Sequence, residues 1–154
     1  MSFRLFSGLI IFGCLTGVSP VISAAKPPLP SSFRAQAAEG YSIGLVAIDP
    51  VAGTPLVAGS SVTFKISVAY KNAVSLHGKI VLIFQDEKDR LVTSGGPQVS
   101  ADAPGPNGKA SLEKTVTVPT QAKELRLFVP FVPDGLIKTS DELMFRYPIK
   151  KSRK

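Results

Sequence analysis

Val62-Thr63-Phe64-Lys65-Ile66-Ser67-Val68-Ala69-Tyr70 is the stretch on which the fold turns. Val62, Phe64, Ile66, Val68 and Tyr70 take every second position, and Thr63, Lys65 and Ser67 stand between them. Successive side chains of an extended chain point to opposite faces, so this alternation predicts a strand with one apolar and one wetted face. That is the pattern of an antiparallel sheet packed on one side only. All five apolar positions are β-branched or aromatic, the types that fit a pleated, half-buried surface.

The same period extends outward on both sides. Upstream, Tyr41, Ile43, Leu45 and Ala47 share one face of a first strand that Asp49-Pro50 ends, because proline cannot donate to a ladder. Downstream, Lys79 to Gln85 is apolar on both faces through Ile80, Val81, Leu82, Ile83 and Phe84, which reads as a central strand covered on both sides. Asp86-Glu87-Lys88-Asp89-Arg90 turns the chain into a short strand, Leu91 to Ser94. Gly95 to Gly108, rich in Gly, Pro, Ser and Asp, reads as a long loop at one end of the molecule, with Asn107-Gly108 as a tight turn. Ala110 to Val118 alternates until Pro119. Glu124 to Val132 sets Leu125, Leu127, Val129 and Phe131 on one side, and Glu142 to Ile149 does the same with Leu143, Phe145, Tyr147 and Ile149. With no helical period between these segments, the expectation is an all-β domain over residues 41–149, a seven-stranded antiparallel sandwich of two sheets. A small β-barrel is the alternative closure.

The lead-in Leu56-Val57-Ala58-Gly59-Ser60-Ser61-Val62-Thr63-Phe64 and the exit Val116-Thr117-Val118-Pro119 resemble immunoglobulin-like and fibronectin-type-III-like domains of bacterial exported proteins. The resemblance covers Tyr41 to Ile149 and implies the sandwich fold. The sequence departs from the antibody-type pattern in having no Trp and no cysteine pair between sheets.

The N-terminus reads as an address. Arg4 supplies a positive charge, the run Leu5 to Val21 is mostly apolar, and Ser23-Ala24-Ala25 offers the small residues that a signal peptidase accepts. The small and polar residues within the run, and Pro20, make it a poor permanent anchor, which needs about 20 strongly apolar residues. Residues 1–25 are therefore expected to be a helical signal peptide cleaved near Ala25, sending the chain to the periplasm or outside the cell. Ile11-Phe12-Gly13-Cys14 loosely matches a lipoprotein box, so lipid anchoring at Cys14 is the lesser alternative. Phe12 is bulky for that box, and the apolar run continues past the cysteine. Residues 26–40, opening Lys26-Pro27-Pro28-Leu29-Pro30, read as a Pro/Ala-rich linker.

Removing 25 residues from 154 leaves 129, a length that suits one core. The remainder has no cysteine, so packing alone must hold it, as befits a bacterial envelope more than a disulfide-rich secreted module. The net charge of +7 is unevenly placed: 11 basic residues face 10 acidic ones between Tyr41 and Ile149, whereas the tail Lys150-Lys151-Ser152-Arg153-Lys154 carries four cations. That tail, residues 150–154, could meet an anionic membrane surface or trail in solvent. Nucleic acid is not expected, because no aromatics interleave with the basic residues.

Chemistry-bearing constellations are sparse. His77 is the only histidine and lies in a loop; Ser75 is near it in sequence, but no nucleophile elbow surrounds that serine. After processing, His77 and Met144 are the only soft metal ligands, too few for a copper or zinc site. The acidic turn Asp86-Glu87-Lys88-Asp89, followed by Arg90, offers too few oxygens for calcium and reads as a charged hairpin tip. Gly95-Gly96-Pro97 and Pro104-Gly105-Pro106-Asn107-Gly108 lack the residues and the helix of a phosphate loop. The sequence thus points to no catalytic residue, no metal ligand and no cofactor. The expected function is a non-enzymatic envelope module that meets a protein or glycan through its loops or a strand edge. The alternatives are a small hydrolase or metal-handling protein on a sandwich, and a fimbrial or adhesin subunit.

Overall fold

The computed structural model of the protein describes residues 39–75, 77–135, 139 and 141–151. Eight strands run through them: β1 (Tyr41–Asp49), β2 (Leu56–Val57), β3 (Ser61–Asn72), β4 (Gly78–Asp86), β5 (Val99–Asp102), β6 (Asn107–Thr117), β7 (Glu124–Pro133) and β8 (Asp141–Lys150). They form a three-stranded sheet in the order β1-β3-β6 and a five-stranded sheet in the order β2-β8-β7-β4-β5. Every pairing is antiparallel except that of β2 with β8, which is parallel. No helix occurs among the described residues. The expected signal helix, the linker up to residue 38 and the end of the tail lie outside them.

β3 forms as its alternation dictates. Phe64, Ile66, Val68 and Tyr70 are buried, and its register against β6 runs without a break from Ser61↔Thr117 to Lys71↔Asn107. The outward face of this pair is a polar ladder. Thr63 and Thr115 share a hydroxyl hydrogen bond of 2.7 Å, Ser67 and Ser111 one of 2.8 Å, and Lys65 lies 3.4 Å from Glu113. Such cross-strand contacts are worth about 0.2–1 kcal/mol each.

The core carries far more. Phe64 of β3 packs on Phe84 of β4 (centroids 5.0 Å apart) and edge-on against Tyr147 of β8 (5.1 Å, 76°), so one ring joins both sheets. Phe131 of β7 meets Tyr41 and Tyr70 in the same way. Emptying a buried Phe position costs about 3–5 kcal/mol, so the stacked interior, not the surface ladder, holds the two layers together.

Several expectations from the sequence need correction. The strand count is eight, not seven: Leu91 makes only an isolated bridge to Gln85, whereas β2 and β5 are additional strands. β2 was hidden because two residues show no period, and β5 because its four residues, VSAD, look like loop. β4 is not covered on both faces. Ile80, Leu82 and Phe84 are buried, but Val81 and Ile83 on the other face are half-buried. The face of β1 also changes partway: a bulge between Leu45 and Ala47 shifts the register, leaving Ala47 exposed and turning Ile48 toward the core. Finally, Asn107 and Gly108 are not a turn but the first residues of β6, paired with Lys71 and Tyr70. Gly108 is required there by a close approach, since a Cβ would lie 2.5 Å from the Tyr70 hydroxyl, which donates to the Pro104 carbonyl at 2.9 Å.

Candidate functional site: the roofed side of the sandwich

β6 ends the three-stranded sheet, so one of its edges has no strand beside it. Its inward positions are Ala110, Leu112, Lys114 and Val116, a lysine standing where the alternation calls for an apolar residue. Lys114 is 6% exposed, and its ammonium donates to the Gly96 carbonyl (3.0 Å) and the Pro97 carbonyl (2.6 Å). Gly95 rests on the backbone of β6 so closely that a Cβ would overlap the Thr115 carbonyl, and its φ of 96° is open to glycine. The Ser94 hydroxyl donates to the Thr117 carbonyl at 2.9 Å. Ser94 to Pro97 therefore lie along the free edge of β6 and are fastened to it at three points.

This corrects the placement of the long loop. Gly95 to Gly108 does not cap one end; it runs down the side of the sandwich, from the Thr115–Thr117 stretch of β6 through β5 to the Pro104–Pro106 turn beside Tyr70. Beneath its first part lies a cavity of about 190 Å³. Leu82 and Phe84 of β4 form its floor, Val92 and Pro97 its roof, Lys114 one wall, and Leu91, 56% exposed, its mouth. A shallower depression of about 470 Å³ adjoins it, between Leu91–Ser94 and Thr117–Thr120.

The acidic turn is the scaffold of this roof. Asp86 is buried; its Oδ1 accepts the amides of Lys88 (2.8 Å) and Arg90 (3.0 Å), and its Oδ2 accepts Arg90 Nε and Nη2, both at 2.7 Å. Burial works against the charged form, but the Arg90 guanidinium and the two amides outweigh it and hold the carboxyl below its ordinary range. The turn so fixed, with Asp89 at φ 60°, returns the chain so that the Val92 amide reaches the Phe84 carbonyl at 2.8 Å. Beyond the turn, Arg126 donates to Glu124 (2.8 Å) and Asp89 (2.9 Å), and Glu87 accepts the Lys123 amide at 3.1 Å.

The residues weighed from sequence are not gathered here. His77 is exposed, and the Ser75 hydroxyl faces the carbonyls of His77 (2.9 Å) and Asp134 (3.1 Å), not an imidazole nitrogen. Met144 pairs with Phe128 in the middle of β8. Among the described residues no three His, Cys, Asp or Glu are placed to hold a metal ion. Sequence reading missed Lys114, although a signal was present: a charge at an inward position of an otherwise regular strand.

The fold thus defines an all-β sandwich of two sheets with one roofed side. No known protein family matches the sequence, and no curated protein is similar to it. Solved structures are similar in shape. The CARDB domain of a Pyrococcus furiosus protein, crystallised in complex with di-metal ions, matches with a TM-score of 0.48 and 9% identity over 73% of this chain and 94% of that one. The C-terminal domain of wzt matches with a TM-score of 0.48 and 10% identity, over 80% of this chain and 81% of that one. A glycosyl hydrolase family 2 member from Bacteroides cellulosilyticus matches with a TM-score of 0.46 and 12% identity over 71% of this chain and 14% of that one. The metal ions and the hydrolase activity belong to those proteins.

Proposed function

We propose that the protein is an exported, non-enzymatic binding module of the cell envelope, an immunoglobulin-like sandwich that meets its partner at the roofed side. The observation that carries this reading is the cavity of about 190 Å³ held open under Leu91 to Pro97, with a buried lysine in its wall. Concave sites with an apolar lining and few polar groups are where ligands settle. The strand order supports the immunoglobulin-like assignment: β1, β3 and β6 in one layer and β8, β7 and β4 in the other bring first, third and sixth strands against the last pair and the fourth. The partner is a protein or glycan of the envelope.

Amide spectra of the mature chain, titrated with soluble envelope glycan and with envelope peptide fractions, test the reading. Saturable shifts confined to Leu91–Gln98 and Lys114 are expected. Shifts centred elsewhere, or turnover of the added material, would overturn it.

A further inference from the structure

We infer that the cavity beside Lys114 takes a small carboxylate bearing a short apolar chain, the carboxylate resting on the Lys114 ammonium and the chain on Leu82, Phe84 and Val92. The inference rests on the binding-module reading and names the ligand chemistry of that same site.

Charge comes first. A lysine ammonium has three protons to donate. At Lys114 two go to the neutral carbonyls of Gly96 and Pro97, and no carboxylate among the described residues forms an ion pair with it. Buried charges are ordinarily paired, because two neutral acceptors do not replace the hydration that a cation gives up. The third proton and the uncompensated charge both call for an anion.

Shape and lining then choose among anions. In the measure used for cavities, about 10–15 Å³ suffices for one water, so about 190 Å³ has room for a short aliphatic chain as well as a headgroup. The floor is the inward apolar face of β4, which offers such a chain the same environment as the core. A phosphate or sulfate would need several converging donors, and this cavity presents one ammonium. Thr93 and Gln98 are the other polar side chains of the lining, and neither carries a charge.

The roof suits entry and retention. Leu91 at the mouth is exposed and anchored by one bridge to Gln85, while Ser94 to Pro97 are tied to β6.

Hexanoate, hexanamide and hexan-1-ol, added to the mature protein, make the test. Saturable amide shifts at Leu91–Gln98 and Lys114 with hexanoate are expected, and binding weaker by about tenfold or more for the two uncharged probes. Lys114→Met, shown by its amide spectrum to keep the fold, should lose the preference for hexanoate. Equal binding of hexanoate and hexanamide to the unaltered protein would overturn the inference, and this comparison does not depend on the variant folding. Retained hexanoate preference in Lys114→Met would overturn it too. If none of the three probes binds while envelope glycan or peptide still shifts Leu91–Gln98, the carboxylate chemistry fails and the binding-module reading stands. If the roofed side responds to nothing, both fail.

Discussion

Asp86 shows how one side chain can be misread from its neighbours. Four charges in the run Asp86-Glu87-Lys88-Asp89 look like a solvated tip, yet the first is buried and serves as the keystone of the turn. Nothing in the local sequence tells it from Asp89, because its burial arises from the strand Gly78–Asp86 continuing two residues further than the apolar run Ile80–Phe84. Its folded carboxyl sits below the unfolded value, so its contribution is complete above the unfolded value of about 4 and is lost as pH falls through the lower folded value. Thermal unfolding followed between pH 6 and about pH 2 should show stability dropping in the acid range, and Asp86→Asn should flatten that drop. An unchanged acid limb in the variant would contradict the role given to Asp86. Asn72 is the opposite case: it is fully buried, and its side-chain nitrogen and oxygen have no hydrogen-bond partner among the described residues, a cost of about 1–3 kcal/mol.

At the scale of elements, the long alternating strands β3, β6, β7 and β8 are legible from period alone, since each has one face in the core. What sequence could not show were the features set by partners. β2 exists because Leu56 and Val57 meet Ile149 and Lys150 of β8, and the β1 bulge exists because Ile48 must reach the core after Leu45. The start of β1 depends on a distant residue as well. Asp141, at the head of β8, is buried, and its Oδ2 accepts the Ile43 amide at 2.9 Å. Asp141→Ala should lower stability by about 1–3 kcal/mol and speed hydrogen exchange at the Ile43 amide more than at β3 amides. Unaltered exchange at Ile43 would show that β1 is held by other means. Tyr147 ties the other end of β1 in a similar way, its hydroxyl donating to the Pro50 carbonyl at 2.9 Å. Burial, with Asp49 nearby, pushes that phenol well above the ordinary tyrosine range, keeping it a donor.

For the whole molecule, the all-β architecture was readable from the sequence, but the roofed side was not, because a Gly/Pro-rich stretch carries no period to say where it lies. Only contact with β6 places it. The proposed export belongs to this scale too and rests on the order of the first 25 residues alone. Intact mass of the native product, with fractionation, should give a chain beginning at Lys26 outside the cytoplasm. A lipid-modified chain beginning at Cys14 would establish the anchored alternative instead. Lys150 and Lys151 are exposed at the end of β8, so any hold of the basic tail on an anionic membrane should release with salt.

Among the described residues the two sheets end in four strands where another chain could zip onto a raw backbone rim, and each of these rims is short or partly covered. β2 is two residues long and β5 four, the β1 rim is met by Asp141, and the β6 rim is occupied by Ser94 to Pro97. Growth of copies into a filament by strand-to-strand templating would first have to peel those fastenings away. The strip that shelters the cavity therefore doubles as a guard against runaway polymerisation.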